Sequence, residues 1–352
     1  MKNLYLLLAA SAVMSSCSST NKMSLSVLNP APVTVPAHVK NITIVNRSLP
    51  LKENRVFDAA DKILSFEGAA LDKEGSNAGI NGLATELSRN EKFENVKVLS
   101  QTQFGNKVPS MFPTPLTWDE VEKLCEEHNS DALFSLELFD TDSKISYSAQ
   151  PVKVNTPLGK IPAIEQEANM VTTVKTGWRI YDLKSKYILD EFAVGRHLNY
   201  RSRGINPVIA ANALIGRKEA VKEVGTRTGE GYALRVTPYW LRVSRDYYVR
   251  GTGNFAVAKR KAQTGNWDAA AKLWLEETQN GKRKVAGRAC YNMAIISEIN
   301  GNLDEAIQWA QKSYEDYNCK LALHYVRLLE QRKINSSILN EQQTGEVAGS
   351  NP

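Results

Sequence analysis

The strongest constraint in this chain is an internal repeat near its C-terminal end. Gly265-Asn-Trp-Asp-Ala-Ala270 aligns with Gly301-Asn-Leu-Asp-Glu-Ala306 at an offset of 36 residues. Self-similarity at such a period marks stacked supersecondary units that bury a shared core between neighbours. From Asn254 onward the pattern is helical, so a helical array over residues 253–334 is expected. Leu321, Leu323, Tyr325, Leu328 and Leu329 mark a closing helix, and a polar tail, expected to be disordered, fills residues 335–352.

The opposite end carries an export signal. Lys2 supplies a positive charge, Leu4 to Met14 is an almost unbroken apolar run, and Ser15 and Ser16 lead into Cys17. The run is too short for a spanning helix, which needs about 20 apolar residues. The segment resembles the lipobox of bacterial lipoproteins, with Met14 where Leu is usual. That resemblance implies cleavage after residue 16, a diacylglycerol on Cys17 and attachment to a membrane. Polar residues 18–22 and the prolines at 30, 32 and 36 predict an extended tether over residues 17–38. No acidic run follows Cys17, which favours a periplasm-facing location at the outer membrane.

Residues 39–200 alternate strand-like and helix-like segments. Ile42 and Ile44 alternate with polar residues, which suits a strand. Phe57, Ala60, Ile63 and Leu64 share a helical face, with Gly68 as its expected end, and Ile80, Leu83, Ala84 and Leu87 predict a second helix. Thr117 and Glu120 are spaced as a capping box, with Leu116 and Val121 as a hydrophobic staple and His128 on the apolar face. Ala132–Phe139 is a central strand. After a polar, proline-containing insertion at about 148–168, Met170–Tyr181 and Tyr187–Leu198 read as a hairpin turning at 182–186. The order predicts a mixed α/β sheet with helices on one side. It is similar to the small α/β domains of periplasmic lipoproteins of the curli-secretion group and of the TolB N-terminal domain, which implies partner binding rather than catalysis.

Residues 201–252 read as a helical and aromatic bridge. Asn206 and Pro207 start a helix running to about Val224. Gly225, Gly229 and Gly231 then suggest a break, ahead of the aromatic and arginine-rich segment 232–248.

The C-terminal repeat resembles the tetratricopeptide repeat. In that repeat a glycine turn joins two antiparallel helices, here at Gly265 and Gly301. Small residues, here Ala258, Ala294, Ala270 and Ala306, let the helices approach, and Trp274 takes an aromatic position. Ala310 and Asn254 stand where the motif wants aromatics, and the closing proline is absent from both units. The whole layout is similar to a family of uncharacterised Gram-negative lipoproteins with an α/β domain followed by such repeats. It implies protein partners bound through the repeats.

Few chemistries find support. No His-Glu-x-x-His, Cys-x-x-Cys, Gly-x-Ser-x-Gly or Walker loop occurs, so no metal, cofactor or catalytic residue is assigned. Gly251-Thr-Gly253-Asn-Phe-Ala256 has the form of a dinucleotide loop but leads into helical repeats. With Cys17 lipidated, Cys125, Cys290 and Cys319 are left, and either a Cys290–Cys319 bridge or three buried thiols fits. The net charge of +6 falls short of nucleic-acid binding. Arg196, Arg201 and Arg203, with His197 and Tyr200, form the tightest basic cluster, a candidate anion site. The reading is a lipid-anchored adaptor. Its rival is an envelope hydrolase whose catalytic groups meet only in the fold.

Overall fold

The computed structural model describes residues 19–49, 62–99, 112–156 and 159–344. The chain forms an α/β unit followed by a helical unit. The first is built from Ala31–Pro238 with Gln342–Gly345, the second from Tyr239–Glu341 together with the N-terminal segment through Pro30.

The α/β unit is organised on five strands in the order β3-β2-β4-β5-β6. These are β2 (Asn41–Asn46), β3 (Asn95–Val98), β4 (Ala132–Thr156), β5 (Gly159–Asp182) and β6 (Tyr187–Gly204). β2 runs parallel to β3 and β4, and β4, β5 and β6 form an antiparallel meander turning at Asp182–Lys186. Helix α1 (Lys62–Ser88) packs its Ile80, Leu83 and Leu87 with Ile42, Ile44, Phe134 and Leu136. Helix α2 (Trp118–His128) packs its Val121, Leu124 and Cys125 with Val45, Leu133 and Tyr181. Successive strand residues point to opposite faces, so helices cover both sides of the sheet rather than the one side expected. The continuous burial of Ile42, Thr43, Ile44 and Val45 is what a doubly covered strand requires.

Helix α2 starts on the expected capping box. Thr117 accepts from the Glu120 amide, and the Glu120 carboxylate accepts from the Thr117 amide at 2.8 Å. It ends at Asn129 in the left-handed region (φ 52°).

Both glycine-based helix ends are corrected. Helix α1 runs through Gly68, so from Lys62 onward the two expected helices are continuous. After the short α3 (Pro207–Asn212), helix α4 (Arg217–Val236) runs through Gly225, Gly229 and Gly231 without a break. At Gly225 and Gly229 the reason is close packing of two backbones. A side chain at Gly225 would strike the Gly75 carbonyl, one at Gly229 the Gly79 carbonyl, and one at Gly82 would lie 2.5 Å from the Thr226 carbonyl. Glycine costs each helix roughly 1 kcal/mol per residue relative to alanine, and the close approach uses the space released.

Two further corrections concern segments without an assigned fold. The insertion at 148–168 is the outer part of the β4–β5 ladder, paired from Ala132↔Asp182 out to Thr156↔Gly159. The bridge at 201–252 is not a separate body, because α4 packs in the α/β core and residues 239–248 form a strand of the other unit.

In the helical unit, β1 (Thr20–Asn29) pairs antiparallel with β7 (Tyr239–Tyr248). The tether expected at 17–38 therefore contributes a strand, because Met23, Leu25 and Val27 alternate with Lys22, Ser24 and Ser26 and turn the apolar row inward. Five helices follow: α5 (Gly253–Gln263), α6 (Trp267–Glu277), α7 (Arg283–Ile299), α8 (Leu303–Glu315) and α9 (Lys320–Thr344). The last runs through residues expected to be a disordered tail. Gly265 and Gly301 hold the same turn, with φ +80° and +81°. Each turn repeats one set of backbone bonds, Asn266 N–H to the Lys261 carbonyl and Asn302 N–H to the Ser297 carbonyl. Ala258, Ala270, Ala294, Ala306, Ala310 and Trp274 are all fully buried.

Candidate functional site

The helical unit contains a groove of about 520 Å³ beside β1. It is lined by seven consecutive strand residues, Met23 to Asn29, and by Trp240, Trp267, Ile299, Leu303 and Leu339. Lining by consecutive residues means the groove follows the strand edge, since either face presents only alternate side chains.

The hydrogen-bond parity of the ribbon identifies what that edge offers. The Val249 amide donates to the Ser19 carbonyl, so in this register Asn21↔Tyr247, Met23↔Arg245, Leu25↔Val243 and Val27↔Leu241 are the bonded pairs. The backbone groups of Lys22, Ser24, Ser26 and Leu28 then point away from β7, toward the groove side. Among the described residues β1 pairs with no other strand. At the end of β7 the outward backbone of Tyr248 is engaged. Buried Asn292 of α7 accepts from the Tyr248 amide and donates to its carbonyl, both at 2.7 Å, as a neighbouring strand would.

Below the groove lies a buried charge cluster. Glu298 accepts two bonds from Arg245, each 2.8 Å, and further bonds from Tyr325 and Arg332. Burial pushes its carboxyl up, but the bonds from Arg245, Tyr325 and Arg332 outweigh that and hold it below the usual carboxylate range. Arg332, partly exposed, carries this network to the groove wall beside Asn335.

The candidate anion residues are not brought together. β6 is a regular strand through residues 196–203, so even-numbered Arg196 faces the opposite side from Arg201 and Arg203. Arg196 lines a concavity of about 410 Å³ with Arg227 and two acids, Glu86 and Glu230. Arg203 pairs with Glu167 at 3.1 Å and with Glu165 at 3.7 Å. Strand parity carried this signal, because the separations of five and seven residues are odd. Cys17 lies outside the described residues, as do Phe57 and Ala60. The repeat residues form the packed interior of the helical hairpins rather than a surface.

Several groups suited to catalysis are engaged in structure. Four buried acids face a cation or imidazole: Glu137 meets Arg47, Asp190 meets Arg235, Glu298 meets Arg245 and Asp182 meets His38, while buried Glu277 accepts from Thr252 and Asn280. Ser185 donates to Asp182 rather than to His38, so the serine-histidine contact of a nucleophilic triad is not made. Cys125, Cys290 and Cys319 are free thiols, and burial pushes Cys125 up to about 12 and Cys290 up to about 11, away from a reactive thiolate. Among the described residues no cluster of three or more His, Cys, Asp or Glu could hold a metal, and no helix is long and apolar enough to cross a membrane.

Residues 39–248 match a family described as a domain of unknown function, DUF8603. The chain belongs to this family. Residues 256–331, which cover most of the helical hairpins, match a second domain of unknown function, DUF6340. No catalytic family matches, and no curated protein does. Among solved structures, the PelC dodecamer from Paraburkholderia phytofirmans aligns at 7% identity over 62% of this chain and 99% of that one, with a TM-score of 0.22. A protein described as a neuraminyllactose-binding hemagglutinin homolog from Helicobacter pylori aligns at 9% identity over 56% of this chain and 81% of that one, with a TM-score of 0.18. Scores this low carry no argument.

Proposed function

We propose that this protein is a lipid-anchored envelope adaptor that holds an extended segment of a partner protein in the groove beside β1. One observation carries the reading: β1 turns a row of backbone donors and acceptors toward a groove of mixed polar and apolar walls, whereas on the matching edge of β7 the backbone of Tyr248 is engaged by Asn292. A peptide added to an open strand edge gains main-chain hydrogen bonds along its length, with pockets for alternate side chains supplying selectivity. Trp240, Trp267 and Leu339 provide apolar walls, and Arg332 with Asn335 provides polar contacts. The tetratricopeptide-like hairpins are the scaffold that positions the groove. The pairing of Glu137, Asp190 and Glu298 with arginines supports binding rather than hydrolysis. Cys17 carries the lipid and holds the protein at the outer membrane, facing the periplasm; the basic start, apolar run and small residues ahead of it support this.

The test selects peptides from a random display library on the purified protein and measures their affinity by fluorescence anisotropy. Ser26→Pro removes an outward amide while leaving the β1–β7 bonds intact, because proline is tolerated where a strand's N–H faces away from its neighbour. Selected peptides should bind the parent and bind Ser26→Pro at least roughly tenfold more weakly, with melting unchanged. Equal binding to both, or no peptide selected, refutes the groove. Separately, Cys17→Ala should move the protein out of the salt-washed membrane fraction; retention there refutes the anchor.

A further inference from the structure

The β4–β5 ladder extends beyond its neighbour. β6 pairs with β5 only as far as Gln166↔Gly204, so Gln150–Thr156 and Gly159–Glu165 form a two-stranded arm. Residues directly opposite in an antiparallel ladder share a face. One face carries Ile145, Tyr147, Pro151, Pro162 and Ile164. The other carries Ser146, Ser148, Gln150, Glu165 and Glu167, with Arg203 paired to both acids, and becomes apolar only farther out, at Val152, Ala163 and Ile161.

At its base the β5 side of the apolar face is covered. Ala168 and Met170 are buried, and Ser202 beside them bonds the Ala210 carbonyl of α3. On the β4 side it is open: Ile145 and Tyr147, directly opposite Met170 and Ala168, are 42% and 52% exposed, and Ile164 farther out is 67% exposed. The charge on this face has one sign. Lys153 and Lys160 lie toward its outer end, both exposed, while the arm's acids lie on the opposite face. Pro151 and Pro162 remove two amides from the arm, which opposes addition of a third strand and leaves the face itself as the contact.

We propose that this apolar face docks onto an anionic lipid surface, with Ile145, Tyr147 and Ile164 entering the headgroup boundary and Lys153 and Lys160 meeting lipid phosphates. An apolar face with a tyrosine and flanking lysines is the composition of an interfacial element. A second copy of the chain would bring no carboxylate on this face to meet the lysines, whereas an anionic headgroup layer supplies the counter-charge. The docking is independent of the groove beside β1.

The experiment uses the full chain with Cys17→Ala, so that acylation does not mask weaker binding, and measures sedimentation with vesicles of phosphatidylcholine alone or mixed with phosphatidylglycerol. The parent should bind the mixed vesicles. Ile145→Ser with Ile164→Ser should weaken that binding about tenfold or more. Lys153→Gln with Lys160→Gln should do so only on the mixed vesicles. Ser26→Pro should leave it unchanged. Every chain compared carries the same N-terminal segment, so differences report the arm. If the isoleucine pair fails to melt as the parent does, the lysine pair carries the test. Equal sedimentation of parent and variants overturns the proposal. So does concentration-dependent self-association that the isoleucine pair abolishes while vesicle binding persists, which would make the face a contact between copies.

Discussion

Gly229→Ala tests the packing that holds the α/β unit together. The added methyl would lie 2.8 Å from both the Gly79 carbonyl carbon and the Leu83 amide nitrogen, and closer still to the Gly79 oxygen. Every one of these atoms is backbone, so no rotamer change relieves the clash. Helices α1 and α4 must separate, and Ile80, Leu83, Val221 and Val224, all buried between the helices and the sheet, lose contacts with them. Overpacking of a well-filled core costs about 1–3 kcal/mol, and rigid backbone on both sides puts this site at the upper end. Alanine returns up to about 1 kcal/mol through its helix propensity. The net loss is about 2 kcal/mol, a fall of roughly 4–8 °C in the melting of a unit this size. Circular dichroism melting, with limited proteolysis to locate cleavage in α4, reads the effect. Gly253→Ala is the control, because nothing lies within 4 Å of a side chain at that position. If Gly229→Ala melts at or above the parent temperature, propensity has won, the helices are not in backbone contact, and the account of these glycines is wrong.

Two further outcomes are expected. Ala306→Leu should cost about 1–3 kcal/mol and open the helical unit to protease, because Ala306 is fully buried, while Lys272→Ala on the exposed side should leave both unchanged; tolerance of leucine would refute the hairpin packing. Asp72 is pushed up to about 6, first by burial, against a Thr141 hydrogen bond that lowers it and with the nearby Asp140 charge raising it further. A carboxyl with a raised folded-state pKa binds its proton more tightly when folded, so its contribution is full below about 4 and is lost as pH rises through about 6. Asp72→Asn should therefore raise melting at pH 7 and flatten the pH slope between those values, and an unchanged slope would refute this.

Where local chemistry decides structure, the sequence could be read directly. The Thr117–Glu120 box, the hairpin at Asp182–Lys186 and the paired glycine turns at 265 and 301 depend on residues within a few positions of one another. The errors fall where the deciding partner is distant. Gly68 and Gly225 read as breaks because a glycine's cost is local, while the benefit at Gly225 comes from the Gly75 backbone about 150 residues away. The strand at Thr20–Asn29 was hidden by flanking polar residues and prolines, although Met23-Ser-Leu-Ser-Val27 alternates at the strand period. The groove could not be read, since it joins residues from both ends of the chain.

The ribbon explains how so short a helical array is completed. Two hairpins and a closing helix leave aromatic side chains at their margin, and a small core of this kind needs a further layer. β7 places Tyr247 against Trp267 and Trp274, with ring centroids 5.5 Å and 5.9 Å apart, and Met23 of β1 packs on the same cluster. The cooperative unit thus draws one strand from before the α/β unit and one from after it. The two family matches divide the chain otherwise: DUF8603 takes in β7 but begins at residue 39, beyond β1, and DUF6340 starts at 256, within α5. The helical residues 256–331 alone would lack both strands, leave the face of Tyr247, Trp267 and Trp274 incomplete, and have no groove. A strand recruited from residues 20–29 therefore both finishes the helical core and creates the edge on which the proposed binding depends.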